Sequence, residues 1–590
     1  MILQKILFAD DSPCKEPLMF FRPYGDNGLA LNTYFNAFSL CKWRQYTKLS
    51  NLRFIVRTVQ KASVRARGMN AEEDIVLPLE AEETSCVDGS FSYTLDFSDS
   101  LDFKGLLYAV LESEGSEPVR ITGGEWETSV SPEGEGDIKI AVGITTFKRE
   151  KEVERNIRVL ANCQAVDSVL VVDNARSLSD TMKRETASCG TASVNFYENR
   201  NVGGSGGFTR AMIEAFFSGV QPDFTHIILM DDDVVFSCDA VERTRSFLAI
   251  LKDEYSDSAL YGVMFNINDM KELYSAGGIW KGNALGLNMK NCHSRLDMTD
   301  ASNVFESEAD AGANYSSWWY ACFPRSVIRP DNLPMPFFLH FDDIEYGVRN
   351  KSNGLIFLNG VAVWHPLFIQ KNPLWIKYYE YRNTLILLTS GFSRKSKKDF
   401  FSSVMTLRHR YDCFIGPLLH YDYDAVEVLV LALEDFLLGP DSFMALDAEK
   451  KHRELSRFSR RQYVEEESLA GEIRCVCKGR VFCKPLALLL ELISFCVPFR
   501  KQGLKYIEAT GKRSDFPYLY DALYVFDTRA TVNAGYVLKR DRNRTRNLYK
   551  RFAVAYRTLK KNYDGLSADW DRAKPVMTSL PFWKRYLNLC

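Results

Sequence analysis

Between residues 138 and 233, four short apolar runs rich in β-branched side chains alternate with charged, helix-forming stretches, and each run stops on a polar motif. The runs are residues 138–147, 168–172, 192–197 and 226–230. Strands alternating with helices in this way bury their apolar faces as an open α/β sheet with right-handed crossovers. Ligands bind such sheets beyond the carboxyl ends of the strands. That is where the polar motifs fall: residues 145–149, Asp173-Asn174, residues 199–207 and Asp231-Asp232-Asp233.

The flanks have a different texture, and 590 residues exceed what one hydrophobic core supports. Residues 52–59, 91–97 and 106–111 are short β-rich stretches parted by polar turns, which favours a β-sandwich. The segment 131–136, Ser-Pro-Glu-Gly-Glu-Gly, reads as a linker. Beyond residue 392 the pattern is helical, as in 425–438 and 486–497. The expected organisation is an N-terminal β-sandwich domain (1–132), an α/β catalytic domain (133–392) and a C-terminal helical domain (393–590).

Asp10 and Asp11 interrupt any secretory apolar core, and the most apolar later run, 485–498, is short and contains Glu491. Fourteen cysteines without paired spacing suggest reduced thiols and a cytoplasmic address. The last 52 residues hold 14 Lys/Arg against 4 Asp/Glu, although the whole chain carries a net charge of −2. Such a basic segment suits an anionic membrane surface, an anionic glycan or nucleic acid, or else a plain solvated helix face.

Five motifs carry chemistry. Asp231 and Asp233 share one face of an extended segment. Hard carboxylates so placed suit Mn²⁺ or Mg²⁺, which can neutralise a diphosphate; an acidic solvated turn is the competing reading. In Asn201-Val-Gly-Gly-Ser-Gly-Gly-Phe208 the glycines let backbone approach a ligand, and a helix expected to begin near Thr209 would favour an anion. The pattern is not GxGxxG and does not follow the first strand, which argues against a dinucleotide; a tight packing loop is the alternative. His340-Phe-Asp-Asp-Ile-Glu-Tyr-Gly347 offers a general base, though acidic residues also cap helices. His365, between Trp364 and Pro366, is a candidate metal ligand or a structural histidine. Trp318 and Trp319 offer faces for a sugar ring or belong to the core.

Taken in order, TTFKR, VVDN, NVGGSGGF, LMDDD, WWYACFP, HFDDIEYG, VWHP and YYEYRN resemble the galactofuranosyltransferases of glycosyltransferase family 2 across about residues 137–385. The resemblance implies a GT-A-type sheet, an inverting mechanism and UDP-galactofuranose as donor. It implies donor contacts at Thr145, Arg149, Asp173, Asn201, Gly203, Gly204, Asp232 and Asp342, and metal ligands at Asp231, Asp233 and His365. Asp343 matches the catalytic base, and Trp318 and Trp319 match acceptor-lining positions. Phe341 stands where the family pattern has Trp, which bears on the acceptor. The expected partners are a UDP-sugar, a glycan or glycolipid acceptor, a membrane surface and a second copy of the chain, and not nucleic acid. The competing readings are a dTDP-rhamnose transferase of the same family and a non-catalytic carbohydrate-binding protein. An NAD-dependent sugar-nucleotide enzyme is disfavoured by the missing first-strand fingerprint.

Overall fold

The computed structural model describes residues 1–589 apart from 71, 88–89, 132–137, 220–222, 283–288, 368–372, 459–461, 466–467, 469–472, 477–500, 509–519 and 527–533. The 131–136 linker and the 486–497 helix expected from sequence therefore fall almost wholly, or wholly, outside the described residues.

The N-terminal strands form two antiparallel sheets, one containing Arg53–Thr58 and Ile121–Glu127, the other Ala62–Met69 and Leu106–Ser113. Alternating strand residues meet around Trp126, which packs on Phe38, Phe54 and Phe97. This sandwich is docked on the next unit. Trp43 meets Phe247 at 4.9 Å. Arg243, fully buried, pairs with Asp239 at 2.8 Å and donates to the carbonyls of Phe35 and Asn359, both at 3.0 Å.

The central sheet runs in the order Ser193–Glu198, Ser168–Asp173, Ile140–Thr146, His226–Asp231, Ala321–Pro324, Ala259–Asn266, Asp269–Ser275, Leu296–Asp297. Its first four strands are parallel, and Ala321–Pro324 is antiparallel to its neighbours. Strands 140–146 and 168–173 are buried almost throughout, as their continuous apolar runs require. The helix Gly203–Phe216 lies across them. A Cβ on Gly143 would sit 2.8 Å from that of Ala211, so this glycine permits the close helix–sheet contact. A long strand, Leu355–His365, runs parallel to Ala259–Asn266 and also pairs with Val235–Phe236.

The C-terminal region is helical, with Ile376–Thr389, Tyr423–Leu437 and the 36-residue Arg542–Met577 packed around Trp570, Phe436 and Leu433. It also contains a five-stranded sheet, including Lys501–Glu508, Tyr520–Phe526 and Ala534–Lys539, that the sequence pattern did not announce. Among the described residues no helix is long and apolar enough to cross a membrane.

Candidate active site

Asp231 is the last residue of its strand, and His365 is the last of Leu355–His365. Val235 pairs with Trp364, so the Asp231–Asp233 turn folds back beside the histidine. His365 Nε2 stands 3.1 Å from Asp233 Oδ1 and 4.0 Å from Asp231 Oδ2. One donor atom from each of the three residues fits within a 4.8 Å cluster. Burial, reinforced by the charges of Asp233 and Asp232, pushes Asp231 up to about 7 despite His365 and Arg149 nearby. Burial also opposes ionisation of Asp233, but the His365 hydrogen bond and the charges of His365 and Arg149 outweigh it and hold this carboxyl below its ordinary value. Two carboxylates crowded against an imidazole form a donor set that a divalent cation would relieve and satisfy.

Other chains of contact fix this turn. Arg149 Nη1 lies 2.9 Å from Asp232 and 2.5 Å from Asp233. Asn156, buried on the helix Glu150–Ala161, donates to the carbonyls of Asp232 (2.9 Å) and Val234 (3.0 Å), and Arg155 donates to Val234 at 2.7 Å.

The second feature is the start of the helix Asp342–Asn350. His340 (φ 61°) and Phe341 (φ 74°) both sit in the left-handed region, which side chains with a Cβ enter only where their surroundings compel it. The compelling group is Asn383, buried on helix Ile376–Thr389, whose Nδ2 donates to the carbonyls of Leu339 (3.1 Å) and His340 (2.8 Å). Arg382 fixes that amide by donating to Asn383 Oδ1, and Arg382 itself donates to Tyr378, whose hydroxyl donates to Asp435. The forced turn delivers Asp342 and Asp343 together. Burial first, then the Asp343 charge, lifts Asp342 well above the carboxylate range, and Asp231 adds to the effect. Burial also raises Asp343, against hydrogen bonds from Ser317 and the Ile344 amide. Asp342 Oδ2 lies beside Gly204, and Gly207 of the same helix meets Thr145, the register partner of Asp231, so the two features flank the start of one helix.

No protein-family model matches the chain. Two relatives do, both named galactofuranosyltransferase GlfT2. The Mycolicibacterium smegmatis protein is 24% identical over 444 residues, covering 71% of this chain and 66% of the relative. The Mycobacterium tuberculosis protein is 25% identical over 451 residues, covering 71% and 67%. The chain is similar in sequence to these two galactofuranosyltransferases. The match thus spans about two thirds of each relative's length. The central sheet, with its parallel half, antiparallel strand and acidic strand end, is of the GT-A type. Among solved structures, S. aureus TarS in complex with UDP is similar at 12% identity, covering 50% of this chain and 81% of that one with a TM-score of 0.29.

The remaining expected residues divide. Thr145 pairs in register with Asp231, and its buried Oγ1 has no hydrogen-bond partner among the described residues. Asp173 is buried, and its two oxygens accept from the amides of Ala175 (3.0 Å) and Leu178 (2.9 Å). Asn201 Oδ1 accepts from the Gly203 amide at 3.2 Å.

The helix expected near Thr209 begins at Gly203 instead. Gly203, at φ 78°, brings its backbone so near Phe338 that a Cβ would collide with the carbonyl there. The Gly204 amide donates to that same carbonyl at 3.1 Å, and Asp342 Oδ2 lies 3.5 Å from where a Gly204 Cβ would sit. These glycines therefore serve close backbone packing, which seats the helix against the segment that leads into Asp342 and Asp343. Trp318 and Trp319 are only 3% and 5% exposed. Trp318 packs edge-on against Phe208, and Trp319 Nε1 donates to the Gly262 carbonyl at 2.8 Å. Neither presents an open ring face, so the expectation of an acceptor platform here is corrected to core packing. Glu345, the third acid of the same segment, is paired with Arg349 and Lys574, both at 2.9 Å, and held below its ordinary value despite burial.

Sequence reading did not single out Arg155, Asn156, Arg382 or Asn383. The last two stand within the YYEYRN motif, where an Arg-Asn pair amid an apolar helix was the available signal.

Proposed function

We propose that the chain transfers a galactofuranosyl unit from UDP-galactofuranose to a sugar hydroxyl, with inversion at the anomeric carbon. The observation that carries this reading is the cluster of Asp231, Asp233 and His365 at the carboxyl ends of GT-A-type strands, with the Asp342-Asp343 pair at the start of a helix that meets the Gly203–Phe216 helix. The homology to galactofuranosyltransferases supports the donor.

Asp231, Asp233 and His365 would hold Mn²⁺ or Mg²⁺, which when bound supplies positive charge for the diphosphate leaving group. Arg149, 42% exposed and already within the acidic turn, adds a fixed cation on the same side. Thr145, Asp173 and Asp232 form the donor's side of the cleft, Asn201, Gly203 and Gly204 form its border with the acceptor side, and Asp342 lies between donor and acceptor. Asp343 takes the proton from the acceptor hydroxyl as its oxygen bonds to the anomeric carbon; the bond to UDP breaks and its electron pair leaves with UDP. One displacement inverts the centre, so no enzyme nucleophile and no second acid are required.

The test is UDP release from UDP-galactofuranose with Mn²⁺ and a galactofuranose oligosaccharide, with product configuration read by NMR. Release from dTDP-rhamnose alone, or retention of configuration, would overturn the assignment.

A further inference from the structure

With Trp318 and Trp319 in the core, the acceptor must be recognised elsewhere. We propose that a cavity of about 530 Å³, formed by Arg200-Asn201, residues 444–449 and the helix Leu580–Tyr586, is a subsite for the glycan acceptor. The inference rests on the transferase reading and names where that substrate lies.

Position is the first argument. Asn201 lines the cavity, caps the Gly203 amide, and stands three residues from Gly204, which abuts Asp342. Three peptide steps span at most about 11 Å, so a chain of sugars seated here has its end within reach of the Asp342-Asp343 pair. Size is the second, since a few hundred cubic ångströms is the scale of small-molecule sites.

Chemistry is the third. The Arg200 guanidinium lies over the Tyr586 ring at 5.0 Å, and that ring stacks on Phe582 at 5.3 Å. The stack fixes a multi-donor cation on a rigid support without a carboxylate to saturate it. Among the described residues neither Arg200 nor Arg585 is in an ion pair with an acid. Glu449 and Asp447 also line the cavity, Asp447 with one oxygen already accepting from the Lys450 amide at 3.0 Å. Two cations and two anions around one cavity give donors and acceptors in balance, which suits a neutral, hydroxyl-rich ligand better than a phosphate.

The test is saturation-transfer NMR and titration with a synthetic galactofuranose tetrasaccharide. The double variant Arg200→Ala/Arg585→Ala should bind it about tenfold more weakly or worse, the scale expected for losing charged hydrogen bonds. Glu449→Gln, at an exposed position, should weaken it by a smaller factor, and melting curves check that each variant folds. Calorimetry with UDP and Mn²⁺ should change less than twofold. Unchanged tetrasaccharide affinity in the variants, no tetrasaccharide binding by the wild type, or a loss confined to UDP would overturn the subsite. Wild-type protein that binds the tetrasaccharide through these residues yet releases no UDP would instead overturn the transferase reading alone.

Discussion

Asp343 is the base on the proposed reading. A general base must be ionised, and burial raises the pKa of this one. Transfer should therefore be lost as pH falls through that raised value, so the acid limb of the kcat profile should lie above the usual carboxylate value of about 4. Asp342 shares the pocket, and removing its charge by Asp342→Asn should move the limb to lower pH; a limb that stays in place would show that the pair does not titrate together. Asp343→Asn should reduce kcat by at least about 10²-fold with UDP binding retained. Asp231→Asn should weaken binding of UDP with Mn²⁺ as well as turnover, as calorimetry beside initial rates will show. Chelation with EDTA should abolish transfer and Mn²⁺ restore it; full activity in chelator would remove the metal from the mechanism.

At the scale of elements, the turn before helix Asp342–Asn350 is the most informative piece. Two consecutive left-handed residues cost of order 1–3 kcal/mol each, and Asn383 is what keeps them there. Asn383→Ala should lower stability by about 1–3 kcal/mol through the orphaned carbonyls and should also cut kcat. A lower melting temperature with unchanged kcat would reduce Asn383 to a structural residue. The sequence made the strand ends legible because buried parallel strands are continuous apolar runs, and the Asp231 turn follows one of them directly. His365 was legible as a residue type, and its meeting with Asp233 needed the strand pairing of Val235 with Trp364. The glycine run misled by six residues, because glycine signals both loops and close helix packing, and only the φ of Gly203 and the approach of Phe338 distinguish them. The consecutive Trp residues were ambiguous for a related reason, since large rings serve cores and sugar platforms alike. The C-terminal sheet was hidden because strands such as Lys501–Glu508 mix charge with short apolar stretches inside a helix-rich region.

Across the whole molecule, the three regions are locked rather than strung together. Arg243 ties the sandwich to the catalytic sheet, and Arg243→Ala would leave Asp239 buried without its partner at a cost of about 3–5 kcal/mol; urea unfolding checks this. At the other end, Trp583 Nε1 donates to the Pro334 carbonyl at 2.9 Å across 249 residues of chain, and Lys574 neutralises the buried Glu345. During synthesis at about 5–20 residues per second, the segment bearing the base leaves the ribosome roughly ten to fifty seconds before the helix that braces it. Throughout that interval Glu345 lacks Lys574 and the Pro334 carbonyl lacks its donor. The nascent central unit is consequently without two of its partners until a distant part of the same polypeptide has folded back onto it.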